Sequence, residues 1–267
     1  MKIPLEDSFQ DILGKACRGL GLKDEDLARQ TGLPVAGITA VKNGEFDETT
    51  VRKIAPALQL GADALVAIGR QQWVPRDPGK MDGLACFNTP FEDMTVNSYV
   101  VWDPATQEAA AFDTGADCAG MLALPVKIGR IFLTHIHGDH IHDLARLKQA
   151  TQAPAFVSER EPLQGAQPFR DGRQFQIGKL KVETRRTSGH ARGGLTYVIT
   201  GLAKPLAIVG DALFAGSMGG GLVSYAEALE TGRAGLMTLS DETVVCPGHG
   251  PLTTIGEERR HNPFFSR

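Results

Sequence analysis

The stretch I-F-L-T-H-I-H-G-D-H, from Ile131 to His140, constrains this chain more than any other. Ile131, Phe132 and Leu133 read as the apolar end of a buried strand, and Thr134 marks where the chain surfaces. His135, His137, Asp139 and His140 then crowd into six positions, and Gly138 permits a turn sharp enough for them to converge. Alternation places His135 and His137 on one side, with Asp139 and His140 round the turn. Imidazole nitrogens and carboxylate oxygens are the usual ligands of zinc and neighbouring transition metals. One metal with an open position, or two metals sharing a water, would follow. A loop whose histidines only cap the next helix would not need four such side chains together.

The bulk numbers leave room for such a site and exclude other classes. At 267 residues and 42% hydrophobic content the chain can bury a sizeable core. A net charge of −3 suggests neither a nucleic acid nor an acidic membrane as partner. The opening residues, Met1 to Gln10, hold Pro4, Glu6 and Asp7 and read as no signal peptide, and no run approaches the ~20 apolar residues of a membrane span. Cys17, Cys86, Cys118 and Cys246 are scattered and read as packed thiols, not a disulfide framework. A cytoplasmic protein is the expectation.

From Ser8 to Arg70 the pattern is helical, broken at glycines. Phe9, Ile12, Leu13 and Ala16 have helical spacing, with Gly19 and Gly21 ending the segment; four further helices follow, around Leu27, Ile38, Ile54 and Leu65. The run G-L-K-D-E-D-L-A-R-Q-T-G-L-P-V-A-G-I-T-A-V-K-N-G resembles the helix-turn-helix of phage-repressor-type DNA-binding domains. Yet the outward positions of its third helix, Ala36, Gly37, Thr39, Ala40 and Lys42, offer little for reading base edges. Residues 1–70 carry nine Lys or Arg against ten Asp or Glu, so the basic footprint is missing too. A module that pairs copies into a homodimer, or covers the rest of the chain, is favoured over a DNA reader. Pro75, Pro78 and Gly79 mark a linker, which gives a helical domain over 1–74, a linker over 75–83 and a second domain over 84–267.

After the linker, strands are expected at Thr95–Trp102, Ala109–Phe112, Ile128–Thr134, Lys181–Arg185, Leu195–Thr200, Leu206–Val209 and Thr243–Cys246. Helices are expected at Ala116–Leu124, His142–Ala150 and Tyr225–Leu239. Three more candidate ligands stand beside strand ends: His190 in T-S-G-H-A-R-G-G, Asp211 after I-V-G, and His249 in C-P-G-H-G-P. Each is flanked by glycine, which lets backbone approach closely.

T-H-I-H-G-D-H, then His190, then G-D-A-L-F, then P-G-H-G resembles the metallo-β-lactamase superfamily in motif order and spacing, from about Leu84 onwards. The resemblance implies an α+β fold, an αββα sandwich with the site at one edge of two sheets, here preceded by the small all-α domain. It also implies two divalent metal ions, most simply Zn2+, with Fe or Mn as alternatives. His135, His137 and His190 would hold one, Asp139, His140 and His249 the other, and Asp211 would bridge both. Asp113 matches a structural carboxylate near that site. Aspartate at 211 where β-lactamases carry cysteine argues against that activity. The tail G-H-G-P-L-T-T-I-G-E-E-R-R-H-N-P-F-F resembles short glyoxalase II-like hydrolases.

Two metals ~3.5–4 Å apart would make a shared water available as hydroxide near pH 7, with Asp139 as ligand and hydrogen-bond acceptor for it. A small thioester suits such chemistry, since a thiolate of pKa near ~8.5 leaves without help from an acid. Ala215–Leu222 carries no charge where glutathione would want partners, and its glycines read as flexible. Arg192 and Tyr225 are the nearest substitutes for substrate contacts, read more simply as a surface cation and a packed ring. His142 is an extra histidine that could support the cluster from outside, and His261 a surface residue of the tail. The alternatives are a persulfide dioxygenase-like oxidation on one iron, and a DNA-binding regulator whose metal domain senses a metabolite.

Overall fold

The computed structural model describes residues 3–266. Five helices come first: α1 Phe9–Leu20, α2 Asp24–Thr31, α3 Val35–Lys42, α4 Glu48–Ile54 and α5 Ala62–Gly69. Ser8 caps α1 through a reciprocal pairing with Asp11, and Gly21 closes it in the left-handed conformation. Gly19 does not end α1. It lies inside the helix, where a Cβ would overlap the ring of Tyr225.

Twelve strands follow in two six-stranded sheets. The first runs β1 Leu84–Phe91, β2 Met94–Trp102, β3 Glu108–Phe112, β4 Lys127–Phe132, β5 Ala155–Ser158 and β6 Gln167–Phe169, in that spatial order. Helices α6 Ala119–Leu122, α7 Gly138–Ile141 and α8 Leu144–Thr151 interrupt it. The second sheet is ordered β12-β11-β10-β9-β8-β7, from β7 Gln174–Ile177, β8 Leu180–Arg186, β9 Leu195–Thr200, β10 Leu206–Gly210, β11 Val244–Pro247 and β12 Thr253–Thr254. Helix α9 Tyr225–Gly235 precedes β11 and α10 Ile255–His261 follows β12.

Side-chain alternation assigns the layers. Val101, Ala110, Phe112 and Phe132 pack inward against Val182, Tyr197, Ile199, Ile208 and Cys246 between the sheets. Their chain neighbours Val100, Ala109, Ala111 and Ile131 face outward onto Met121, Leu144 and Leu147 of α6 and α8. On the other side Val198, Ala207, Val209 and Val245 meet Leu236, Leu239 and Ile255. Four layers result, two sheets between two layers of helix.

Five strands were not expected from sequence: β1, β5, β6, β7 and the two-residue β12. β1 is an edge strand with Pro90 near its end, and β5, β6 and β7 are short, with β6 and β7 largely polar on their exposed faces; each lacks a long apolar signature. The helix expected over 116–124 is only the four-residue α6, and α9 stops at Gly235 rather than Leu239.

The helical segment shares its core with the sheet-bearing part. Phe9, Ile12, Leu13 and Leu65 belong to one buried cluster with Ala215, Met218, Tyr225, Leu229 and Phe264. Trp73 stacks on His261 at 5.1 Å between ring centroids and donates from Nε1 to Glu257 at 3.0 Å. His261 is therefore a half-buried packing residue of α10, not a surface residue of the tail. Gly61 N–H donates to Pro263 O at 2.7 Å, tying α5 to the last turn of the chain.

Glu258 anchors this junction from inside. It is fully buried and accepts from Gly216 N–H at 2.9 Å, Asn262 Nδ2 at 2.8 Å and Thr253 Oγ1 at 2.7 Å. Burial pushes its carboxyl from an ordinary 4.5 up to about 7, against the lowering pull of those three donors.

Two outcomes follow. The native state keeps the Glu258 proton up to about pH 7 while the unfolded chain releases it near 4.5, so stability falls as pH rises between those values. Glu258→Gln, which mimics the protonated acid, should flatten that part of the curve of thermal midpoint against pH; an unchanged slope would show that another group titrates. Gly19→Val should cost roughly 2–3 kcal/mol in denaturant unfolding by overpacking Tyr225, and Tyr225→Ala in the same chain should recover part of that loss. Fully additive costs would rule out the contact.

Candidate metal centre

The donors gather where both sheets end. β4 delivers His135 and His137 just beyond Phe132, and α7 carries Asp139 and His140. The loop after β8 carries His190, the end of β10 leads into Asp211, and the end of β11 into His249. His135, His140, Asp211 and His249 are buried, whereas His137, Asp139 and His190 are partly open to solvent.

All seven meet in two groups. His135, His137, His190 and Asp211 place one ligand atom each within 4.8 Å of one another, and so do Asp139, His140 and His249. Asp211 faces both. Its Oδ2 lies 3.3 Å from His190 Nε2 and 3.6 Å from His249 Nε2, and its Oδ1 lies 3.2 Å from His140 Nε2. Asp139 Oδ2 stands 3.2 Å from His249 Nε2 and 3.4 Å from His140 Nε2.

The outer nitrogens of the rings are spoken for, which fixes the inner ones. His190 Nδ1 donates to Gly220 O at 2.8 Å and His249 Nδ1 to Thr95 O at 2.7 Å. His140 Nδ1 lies 2.8 Å from Asp113 Oδ2, and His135 Nδ1 lies 3.0 Å from Thr134 Oγ1. With Nδ1 engaged, each Nε2 turns its lone pair to the centre, the usual arrangement behind metal-bound histidine. His137 is reversed: its Nδ1 sits 3.0 Å from both His135 Nε2 and His190 Nε2.

Two observations show that these donors fit cations. His140 Nε2 and Asp211 Oδ1 are buried without a hydrogen-bond partner although 3.2 Å apart, an arrangement that a shared cation would satisfy. Three imidazole nitrogens converging at His137 Nδ1 cannot all be paired by protons, whereas a metal accepts all three.

Electrostatics follow the same geometry. Burial would raise the Asp211 carboxyl, yet the charge of His140, followed by that of His135 and His249, holds it well below the usual range. Burial depresses His135 and His190. His140 is pushed up by Asp211 and Asp113 despite its burial, and His249, also against burial, rises to about 9 through Asp139 and Asp211.

Asp113 is a keystone beneath the donors. Its oxygens accept from Thr134 N–H and Thr134 Oγ1, both at 2.7 Å, as well as meeting His140, and its backbone holds φ +54°. Asn97 and Tyr99 were not foreseen. Asn97 Nδ2 donates to Gly250 O at 2.8 Å and Tyr99 OH to Pro247 O at 2.7 Å, pinning the loop that bears His249. The available signal was a buried-strand Asn among the apolar residues of T-V-N-S-Y-V-V-W.

Other candidates fall outside the cluster. His142 is exposed, its ring against Phe91 at 5.3 Å, and supports no donor. Tyr225 is buried in the junction with α1, so it lines no substrate space. Arg192 is exposed on the loop after His190. The Ala215–Leu222 segment is not loose: Ala215 through Gly219 are buried, packed against Trp73 and the helical segment. Of the cysteines, Cys17, Cys118 and Cys246 are buried while Cys86 is exposed on β1. No helix among the described residues is long and apolar enough to cross a membrane.

Residues 92–249, well over half of the chain, match the Metallo-beta-lactamase superfamily. The chain belongs to that superfamily. Hydroxyacylglutathione hydrolase GloC of Haemophilus influenzae is 27% identical over 200 residues, which span 64% of this chain and 92% of GloC. Among solved structures, ETHE1 from Myxococcus xanthus is similar at a TM-score of 0.58 and 27% identity, covering 67% of this chain and 83% of that one. TTHA1623 in a di-iron-bound form gives 0.56 and 26%, covering 67% and 99%. Membership implies binding of divalent metal, and the His/Asp cluster at the sheet ends is where this chain would hold it.

Gly248 sets the tolerance of the centre. A Cβ there would overlap Asp211 Oδ1 and the His140 ring. Gly248→Ala should therefore lower metal affinity by roughly 10–100-fold, the range seen when the supports of metal ligands are disturbed, while circular dichroism stays native. Metal titration with a competing chelator measures this, and unchanged affinity would mean that the two donor groups do not form one centre.

Proposed function

We propose that the protein is a binuclear metal-dependent hydrolase acting on a small thioester. The observation that carries the reading is the double-faced Asp211, with one oxygen toward His140 and the other toward His190 and His249. In this reading His135, His137 and His190 hold one ion, Asp139, His140 and His249 the second, and Asp211 both. Divalent ions there, most simply zinc, supply an ionised water near neutral pH and a Lewis acid for the substrate carbonyl.

The remaining work belongs to the chain. Asp139, kept ionised chiefly by its hydrogen bond with His249 against the effect of burial, accepts the proton of the attacking water. The water oxygen bonds to the acyl carbon, the C–S bond breaks, and the thiolate leaves with the electron pair. A leaving group of pKa near ~8.5 needs no general acid, consistent with a donor set that supplies none. Likeness to GloC supports a hydroxyacyl thioester among the acyl groups to be tried.

The helical segment takes an enzymatic place in this proposal. Thr39 Oγ1 donates to Asp24 Oδ2 at 2.6 Å and Lys42 pairs with the same carboxylate. Both polar side chains of the third helix that would have to meet bases are thus engaged within the segment, which weighs against a DNA-reading regulator.

Metal analysis of the purified chain should give two zinc ions per chain, and a thioester and lactone screen should find turnover. Asp211→Ala should lower kcat/KM by at least ~100-fold. A single iron per chain, or an active Asp211→Ala variant, would overturn the assignment and favour the mononuclear oxidation.

A further inference from the structure

Residues 4–7 bring the helical segment to the mouth of the donor cluster. A Cβ placed on Gly250, next to His249, would lie 3.2 Å from Glu6 N, 3.5 Å from Glu6 Cβ and 3.7 Å from Pro4 O. Asp7 accepts from Ser217 Oγ and pairs with Lys15, whose ammonium also donates to Met218 O at 2.8 Å. The same ammonium stands 5.2 Å over the Phe214 ring, which meets the His249 ring edge-on at 5.6 Å. Asp7 and Lys15 thus neutralise each other while bracing the loop after Asp211.

Glu6 is left over. It is half-buried, and among the described residues no hydrogen bond or ion pair holds its carboxylate. Burial raises its carboxyl above the ordinary 4.5, and its backbone lies against Gly250, the neighbour of His249, which places it beside the centre.

Apart from Arg192, the rest of the rim is apolar or acidic. Leu222, 73% exposed, lies two residues past Gly220, whose carbonyl holds His190. Met94, 43% exposed, immediately precedes Thr95, whose carbonyl holds His249. Exposed Glu92 and Asp93 occupy the same hairpin tip. Arg192 is the one exposed cation of the loop that carries His190.

We infer that Glu6 selects substrates by charge, so that the site takes thioesters of neutral or cationic thiols with an apolar body and disfavours anionic peptide thiols. This rests on the hydrolase reading above and narrows it. Glutathione, with its surplus carboxylate, would meet Glu6, Glu92 and Asp93 with Arg192 as the one facing cation, so the acidic side chains outweigh it.

The test uses one acyl group on three carriers: acetylthiocholine, S-acetyl-N-acetylcysteamine and S-acetylglutathione, each with the metal-loaded full chain at low ionic strength. The ratio of kcat/KM for the cationic to the anionic carrier should exceed one in the native chain. It should fall by roughly 5–10-fold in Glu6→Gln and invert in Glu6→Lys, and added salt should shrink the differences. Matching unfolding midpoints confirm that the variants fold. A ratio that Glu6→Lys leaves unmoved overturns the inference while sparing the hydrolase. Should no carrier be hydrolysed, the hydrolase reading fails separately. Thiocholine, N-acetylcysteamine and glutathione are then titrated against the cobalt(II)-loaded chain, where thiolate binding shows in the absorption spectrum. A preference for the cationic thiol that reverses in Glu6→Lys still supports charge selection, and equal affinities refute it.

Discussion

A carboxylate almost without solvent, with four imidazole nitrogens within 4.0 Å, governs this molecule. A buried anion is costly unless positive charge or several donors compensate it. Asp211 therefore demands that His135 with His140, His190, and His249 be brought to it from three different parts of the chain. That demand explains why every donor stands beyond the same end of a strand. Strand ends held in two hydrogen-bonded sheets are the stiffest points from which a side chain can leave the core, and the loops that follow only have to turn. Asp113, at φ +54°, shows the strain the fold accepts to keep His140 aimed.

The loop after Asp211 is packed from two sides, one of them the helical segment. Gly219 N–H returns to Asp211 O at 2.9 Å, so any shift of residues 214–219 moves the carboxylate. Trp73, Lys15 and Asp7 press on that loop from the helical side, and Glu258 from the C-terminal side. The core joining Phe9 and Ile12 to Met218 and Tyr225 is thus also a support for the metal centre. Stability and site geometry are coupled through one junction.

Legibility in the sequence followed the strength of local signals. The strand ending at Phe132 could be read because three apolar residues precede a dense set of ligand types, and the helices of residues 9–69 because apolar residues recur at helical spacing. β5, β6 and β7 could not, since strands of three or four residues depend on neighbours supplied by the topology rather than on their own pattern. The seven side chains that the structure gathers stood out in the sequence because each belongs to a short motif with glycine beside it or near it. Their supports were less visible. Asn97 acts through a carbonyl 153 positions away, a pairing that no local pattern contains. Gly19 looked like a helix terminator because glycine does that most often; here it makes room for Tyr225, a role visible only once α9 is seen beside α1.

In the helical segment the inward and outward faces answer to different constraints. Its apolar pattern dictates its packing, since Ile38 and Val41 share a buried cluster with Leu13 and Leu27 whatever the outer surface does. Base reading depends on a few outward side chains alone, so it can be lost without disturbing the core. Asp24 draws Thr39 and Lys42 back onto the segment, and Ala36, Gly37 and Ala40 add no donors. The opposite face has meanwhile acquired Phe9, Gly19 and Lys15 as contacts with Tyr225, Phe214 and Met218. Those contacts are close-packed and largely buried, of the kind that holds parts of one protein together.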